Sequence, residues 1–284
     1  MFGLDQWFSK SQNGMERTDV AYLINSTPKY FYLLPLHLTL LQRYASTMLW
    51  PIYLATEEPD HHIIQKLKEQ FPRLRIIPLT LEQEGFLDSR YAACMALPSS
   101  IRYVFPIQED FLLEGRPMTE PITEVLQFMD KDTTIQSVRL MPCPGPGGPK
   151  GPTDKTRYKT SLLHILESNE MIFTYQATLW RRDSYQNFMQ LLCEYLNSMR
   201  LTQEQKNNMA IRQNIAEVSF GQDLLKAQGG IHLAWPREGS QPNAVYLCPW
   251  PYRPTAIVQG KLQPWAEDLA DREKVMIRFL PSLR

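Results

Sequence analysis

The sequence contains no CxxC pair, no His/Cys cluster and no apolar run of bilayer length. Its four cysteines, Cys94, Cys143, Cys193 and Cys248, are scattered about fifty residues apart, which offers neither a zinc site nor a small disulfide scaffold. Reduced thiols in a cytosol-like compartment are the simplest expectation. The opening MFGLDQWFSKSQNG carries Asp5 where a secretory signal is apolar, so secretion is not expected. The most apolar early stretch, Tyr30 to Leu41, contains Pro35 and His37 and falls short of the ~20 residues a membrane span requires. Charge of one sign is not in excess either, because 30 Lys and Arg balance 30 Asp and Glu. That balance removes the case for broad nucleic-acid or anionic-membrane binding and leaves room only for a local basic pocket.

Several phosphate-binding and nucleophile motifs are missing. The turn after the first strand-like run, NSTPKYF, has no glycine, so neither G-x-G-x-x-G nor GxxxxGK[ST] is present. No G-x-S-x-G occurs anywhere.

What is present is an ordinary globular composition, 43% hydrophobic and 21% charged over 284 residues, enough for a sizeable core. Four short apolar runs, Val20–Asn25, Pro51–Ala55, Arg75–Pro78 and Arg102–Ile107, read as strands covered on both faces. Helical stretches lie between them: Tyr30–Ser46, Asp60–Gln70 with Asp60 as N-cap candidate, and Ser89–Leu97, stopped by Pro98. This alternation predicts an α/β fold, a Rossmann-like, mostly parallel central sheet flanked by helices.

The second half reads as more helical. Ile135–Leu140 and Met171–Trp180 are strand candidates, followed by helices Asp183–Arg200 and Glu204–Gln228, then Gly229-Gly230 and a strand Ile231–Trp235. Pro142–Lys155, rich in proline and glycine, is read as a loop without ladder, either a surface insertion or a lid beside a site. Cys248–Lys261 reads as extended chain before a last helix around Pro264–Lys274. The expectation is one domain over residues 1–284, with a nucleotide-binding half at 18–113, an acceptor half at 114–240 and a tail at 241–284.

Ligands of parallel sheets bind at the carboxyl ends of strands. The turns there are Asn25-Ser26-Thr27-Pro28, Thr56-Glu57-Glu58, Leu79-Thr80 and Gln108-Glu109-Asp110, all polar, the last acidic. Two adjacent acids at a strand end repel and are costly to desolvate unless a positive group lies between them. Mg²⁺ or Mn²⁺ answers that need, with phosphate oxygens completing its shell. Solvated loop acids, or pairing with Arg90 or Arg102, would explain the same residues. His232, on an apolar strand, reads as a core histidine, and Trp180, Trp235, Trp250 and Trp265 read mostly as core.

Three segments carry a resemblance: FLDSRYAACMAL (Phe86–Leu97), IRYVFPIQEDFLL (Ile101–Leu113), and TYQATLWRRDSY (Thr174–Tyr185) followed by AEVSFGQDLLKAQGGIHLAWP (Ala216–Pro236). Over residues 18–240 the chain resembles the GT-A class of nucleotide-sugar-dependent glycosyltransferases, and among them the uncharacterised glycosyltransferase-like proteins of large DNA viruses and microbes. Gln108 departs from the family pattern, standing where its acidic motif usually has an aspartate.

The resemblance implies a donor site of Ser26, Thr27, Glu57, Arg90, Gln108, Glu109, Asp110 and Lys261. Asp110 would be the metal ligand with Glu109 assisting, and the ion would be Mn²⁺ or Mg²⁺. Glu217 would be the general base with Asp223 as its competitor, and Arg253 and Lys261 would neutralise the departing diphosphate. The bland readings are capping for Thr27 and Glu57, a partner of Asp88 or Glu84 for Arg90, and a solvated helix acid for Glu217. The implied reaction moves a sugar from a UDP- or GDP-linked donor to a hydroxyl acceptor such as a glycan, with inversion favoured and retention, which needs no such base, left open, in the cytoplasm or, for a viral protein, the host cytoplasm. A nucleotide-sugar-binding module without turnover, or another α/β nucleotide-dependent transferase, stays open beside it.

Overall fold

A computed structural model describes residues 17–80, 85–142, 153–155, 163–165, 172–199, 215–217, 220–235 and 248–277. The first half alternates as the sequence predicts. Strand β1 (Val20–Asn25) leads through a 3-10 turn (Pro28–Leu33) to α1 (Leu34–Tyr44), then β2 (Ile52–Thr56), α2 (His62–Gln70), β3 (Leu74–Pro78), α3 (Phe86–Ala96) and β4 (Tyr103–Gln108). There follow β5 (Leu112–Leu113), α4 (Thr119–Lys131), β6 (Ile135–Pro142), β7 (Thr153–Lys155), β8 (Leu163–Ile165), β9 (Thr178–Arg181) and α5 (Arg182–Ser198). The rest is α6 (Phe220–Gln228), β10 (Ile231–Trp235), β11 (Tyr252–Arg253), β12 (Ile257–Val258), β13 (Lys261–Leu262) and α7 (Pro264–Glu273).

Nine strands form one sheet in the order β3-β2-β1-β4-β9-β6-β10-β8-β7. Strands β1, β2, β3, β4, β6, β7 and β10 run one way, and β8 and β9 run against them. The fold is α/β with a mostly parallel sheet. Strand β1 shows why both faces must be apolar. Val20, Tyr22 and Ile24 enter one core cluster with α1 and α4, while Ala21 and Leu23 enter the other with α3 and α5.

Several boundaries differ from the sequence reading, each for a local reason. Tyr30–Ser46 is not one helix, since the chain enters through a 3-10 turn and Pro35 sits in the first turn of α1, where its missing N–H costs nothing. The cap of α2 is His61, whose ring accepts from the Ile63 N–H, rather than Asp60. Helix α3 starts at Phe86, three residues before Ser89. Of the described residues in the predicted strand Met171–Trp180, only Thr178–Trp180 join the sheet, in β9. Within Pro142–Lys155, β6 runs through Pro142 and Thr153–Lys155 pairs with β8, so this segment does carry ladder at its two ends. Its residues 143–152 lie outside the described residues. Of the predicted helix Glu204–Gln228, residues 215–217 and 220–228 are helical and residues 204–214 lie outside the description. Glycine is required at 221, where a Cβ would collide with the Ala216 carbonyl.

The tail is part of the core. Trp250 is 1% exposed and packs against Tyr22 of β1, Phe105 of β4 and Trp50 just before β2. Tyr252 is fully buried, accepts from the Ala177 N–H at 3.2 Å and donates to the Gln176 side-chain oxygen. Strand β11 pairs with β5, so the tail is stitched directly beside the acidic turn that ends β4. Trp250→Ala should therefore cost about 3–5 kcal/mol of folding stability in urea denaturation. Met276→Ala, at a side chain 70% exposed, should stay within ~0.5 kcal/mol. Equal, small losses for both would show that the tail does not belong to the cooperative core.

Candidate active site

The strand order reverses between β1 and β4, because β2 and β3 lie on one side of β1 and β4 on the other. A crevice opens at the carboxyl ends of strands at such a point. Here Asn25 of β1 and Gln108 of β4 line a small cleft together with Arg90 of α3 and the segment Phe173–Gln176. Its free volume is about 10 Å³, room for a single water.

Glu109 and Asp110 follow Gln108 in the turn after β4, and Glu109 is buried. Burial pushes the Glu109 carboxyl up to about 8, and repulsion from Asp110 adds to it. Its own backbone N–H, Arg90 and the Ser26 hydroxyl pull the other way. Burial also pushes Asp110 up to about 6, against the Ile257 and Asp110 N–H groups and Arg90. Neither acid has an ion-pair partner within 4.0 Å among the described residues. Burial and the neighbouring charge thus favour the protonated form of Glu109 more strongly than that of Asp110.

Three elements hold this turn. His37 of α1 meets the Glu109 carbonyl through Nδ1 at 3.1 Å and the Tyr22 hydroxyl through Nε2 at 2.8 Å. A carbonyl only accepts, so Nδ1 carries the proton and Nε2 accepts from Tyr22. Burial draws His37 down to about 4, which keeps the ring neutral in that role. From the tail, the Ala256 N–H donates to the Asp110 carbonyl at 2.9 Å and the Ile257 N–H to its carboxylate at 3.4 Å. Thr255, just before them, sits at φ +67, an uncommon conformation for a β-branched residue.

Arg90 is buried and lies face-on to the Phe86 ring, 3.6 Å from its centroid, with the Tyr175 ring at 5.3 Å. It donates to the Phe86 carbonyl at 2.8 Å and makes no ion pair with Asp88. Glu84 lies outside the described residues. The opposite wall is pinned by two side chains after α5. Gln222 accepts from the Phe173 N–H at 3.0 Å and donates to the Phe173 carbonyl at 2.9 Å, as a neighbouring strand would. Glu217 accepts from the Tyr175 N–H at 2.8 Å.

The structure thus brings Ser26, Arg90, Gln108, Glu109 and Asp110 to one end of the sheet, with Glu217 behind Tyr175 on the far wall. Asp223 projects into solvent, 79% exposed and 3.6 Å from Lys226. Thr27 occupies the N-cap position of the 3-10 turn, but its side chain makes no capping bond. Glu57 is half-buried at the end of β2. Arg253 is paired with Glu114 at 2.5 Å and lies over the Trp265 ring. Lys261 is exposed on the hairpin opposite β12, whose Ile257 N–H reaches Asp110. His232 is buried, with Nδ1 2.8 Å from the Ser137 hydroxyl.

No site role was read from the sequence for His37, Tyr175 or Gln222. A histidine at the centre of a buried leucine helix, and a glutamine on the inner face of α6, were the available signals.

Whether a divalent cation fits can be tested on the donor set. Two carboxylates stand together, but no group of three or more His, Cys, Asp and Glu occurs among the described residues. Both His37 nitrogens are engaged. The pair suits a cation that arrives with phosphate oxygens rather than a resident, all-protein site.

The raised Glu109 ionisation has a consequence for stability. An unfolded glutamate ionises near 4.5, so between that pH and about 8 the unfolded chain has released a proton that the folded chain keeps. Stability contributed by this group falls as pH rises through that window. The urea midpoint should decline from pH 5 to pH 8, and Glu109→Gln should flatten the decline. An unchanged slope in Glu109→Gln would place the titrating group elsewhere.

The chain matches no known family model and no curated protein. Among solved structures it is similar to the glycosyltransferase GlyE of Streptococcus pneumoniae TIGR4, with 12% identity and a TM-score of 0.45 over 90% of this chain and 60% of that one. It is similar to S. aureus TarS 1-349 in complex with UDP, with 13% identity and a TM-score of 0.40 over 81% of this chain and 62% of that one. It is also similar to 4-diphosphocytidyl-2C-methyl-D-erythritol synthase of Anaerococcus prevotii DSM 20548, with 11% identity and a TM-score of 0.39 over 69% of this chain and 83% of that one. The chain therefore spans about three-fifths of the GlyE and TarS chains. No helix among the described residues is long and apolar enough to cross a membrane.

Proposed function

We propose that the chain is a glycosyltransferase that takes a sugar from a nucleoside diphosphate, UDP or GDP, and passes it to a hydroxyl acceptor such as a glycan. One observation carries the reading: two desolvated carboxylates without an ion pair stand at the strand-order switch, with Arg90 close enough to favour their charged forms. Residues of the segments that resemble the GT-A class, Arg90, Gln108 and Tyr175 among them, line this cleft.

In this reading Asp110 and, once deprotonated, Glu109 hold a divalent cation that neutralises the diphosphate, and Arg90 faces the same charge. Ser26, Thr27, Glu57, Gln108 and Lys261 border the donor. Glu217 serves better than Asp223 as general base, because it lies against the cleft wall while Asp223 is in solvent. One Glu217 oxygen fixes the Tyr175 N–H, and the other takes the acceptor proton. The acceptor oxygen bonds to the anomeric carbon as the bond to the diphosphate breaks, which inverts that carbon. A cleft of about 10 Å³ cannot hold a nucleotide, so the wall Phe173–Gln176 must move outward on binding.

That small volume also favours a second reading, a nucleotide-sugar-binding module without turnover. Thermal shift and product assay with UDP- and GDP-sugars, with and without Mn²⁺, separate the two. The transferase reading expects stabilisation that is greatest with nucleotide and Mn²⁺ together, and product. Asp110→Asn should lose the Mn²⁺ increment, and Glu217→Gln should slow turnover about 100-fold or more, while Asp223→Asn keeps it. Stabilisation without product supports the binding module. An unmoved melting curve with every nucleotide removes both.

A further inference from the structure

A second cavity lies on the α1 face of the sheet, near the amino end of β2 and the carboxyl ends of α1 and α2. Its volume is about 210 Å³. An engineered apolar cavity of roughly 150 Å³ accepts benzene, so this one has room for a small organic molecule. Leu38, Leu41, Trp50, Ile52 and Phe71 make its walls. Its rim is polar and carries one cation, Arg73.

Arg73 is held in place. One terminal nitrogen donates to the carbonyls of Met48 and Trp50, the latter at 3.0 Å. Among the described residues its other guanidinium nitrogens have no protein partner, and no carboxylate neutralises it. A fixed, uncompensated guanidinium at the mouth of an apolar cavity selects for a ligand with a chain at one end and an anion at the other. A carboxylate matches the free edge of one guanidinium in both charge and geometry. A doubly charged phosphate would leave half its charge unbalanced.

We propose that this cavity binds a medium-chain carboxylate, its hydrocarbon against Leu38, Leu41, Trp50 and Phe71 and its head group on Arg73. The site is separate from the acidic turn, which lies at the carboxyl end of β4, and it uses none of the residues assigned to the donor.

Octanoate is titrated into the full chain by calorimetry, with tryptophan emission as a second readout because Trp50 lines the wall. Octanol and octylamine serve as neutral and cationic comparisons. Octanoate should bind, octanol about tenfold or more weaker, and octylamine not at all. Arg73→Gln should weaken octanoate by the same factor and leave octanol unchanged. Ala45→Met, which fills the cavity, should abolish both. Arg73 is on the exposed rim, so its variant stays informative if the filled variant does not fold. Equal affinity for octanoate and octanol, or an Arg73→Gln variant that still binds octanoate fully, overturns the assignment. So does binding to phosphatidylcholine–phosphatidylglycerol vesicles without binding to monomeric octanoate. Nucleotide-induced thermal shifts should survive in Arg73→Gln, so failure here and failure of the transferase reading are told apart.

Discussion

Two carboxylates removed from water at the end of a buried strand must be compensated, and much of this molecule is arranged around that requirement. A neutral histidine fixes the Glu109 carbonyl, a serine hydroxyl stands at its carboxyl, and tail N–H groups reach both oxygens of the Asp110 peptide and side chain. Arg90 adds positive charge without forming an ion pair. The compensation is partial, which is why both acids ionise above their usual range.

The tail supplies half of this arrangement at a conformational cost. Thr255 at positive φ is unfavourable by roughly 1–3 kcal/mol, and the next two residues meet Asp110 through their N–H groups. Buried Trp250 and Tyr252 anchor the chain on either side, and the Arg253–Glu114 pair locks β11 to the strand it joins. The far wall follows the same logic with different groups. Gln222 and Glu217 satisfy backbone amides of a segment that has left the sheet, and those amides would otherwise be buried without partners.

Much of the first half was legible because its signals are local. An apolar run between polar turns names a strand buried on both faces, and Val20–Asn25 falls where the pattern puts it. Strand-end placement singled out Glu109 and Asp110 by the same reasoning. Less local features were not legible. The run Met171–Trp180 looks like strand throughout, yet Phe173 and Tyr175 find their amide partners in side chains of a later helical region, so only Thr178–Arg181 pairs.

By itself the sequence determined the alternation of strands and helices, the two-faced core, and the acidic turn at the end of β4, since each follows from neighbours within a few residues. Tertiary structure alone set Glu217 against the Tyr175 N–H and left Asp223 in solvent, because spacing along a helix does not say which side meets a wall 42 residues away. It also paired Arg253 with a carboxylate 139 positions distant. Charges are visible in a sequence; their partners depend on which distant segments the core brings together.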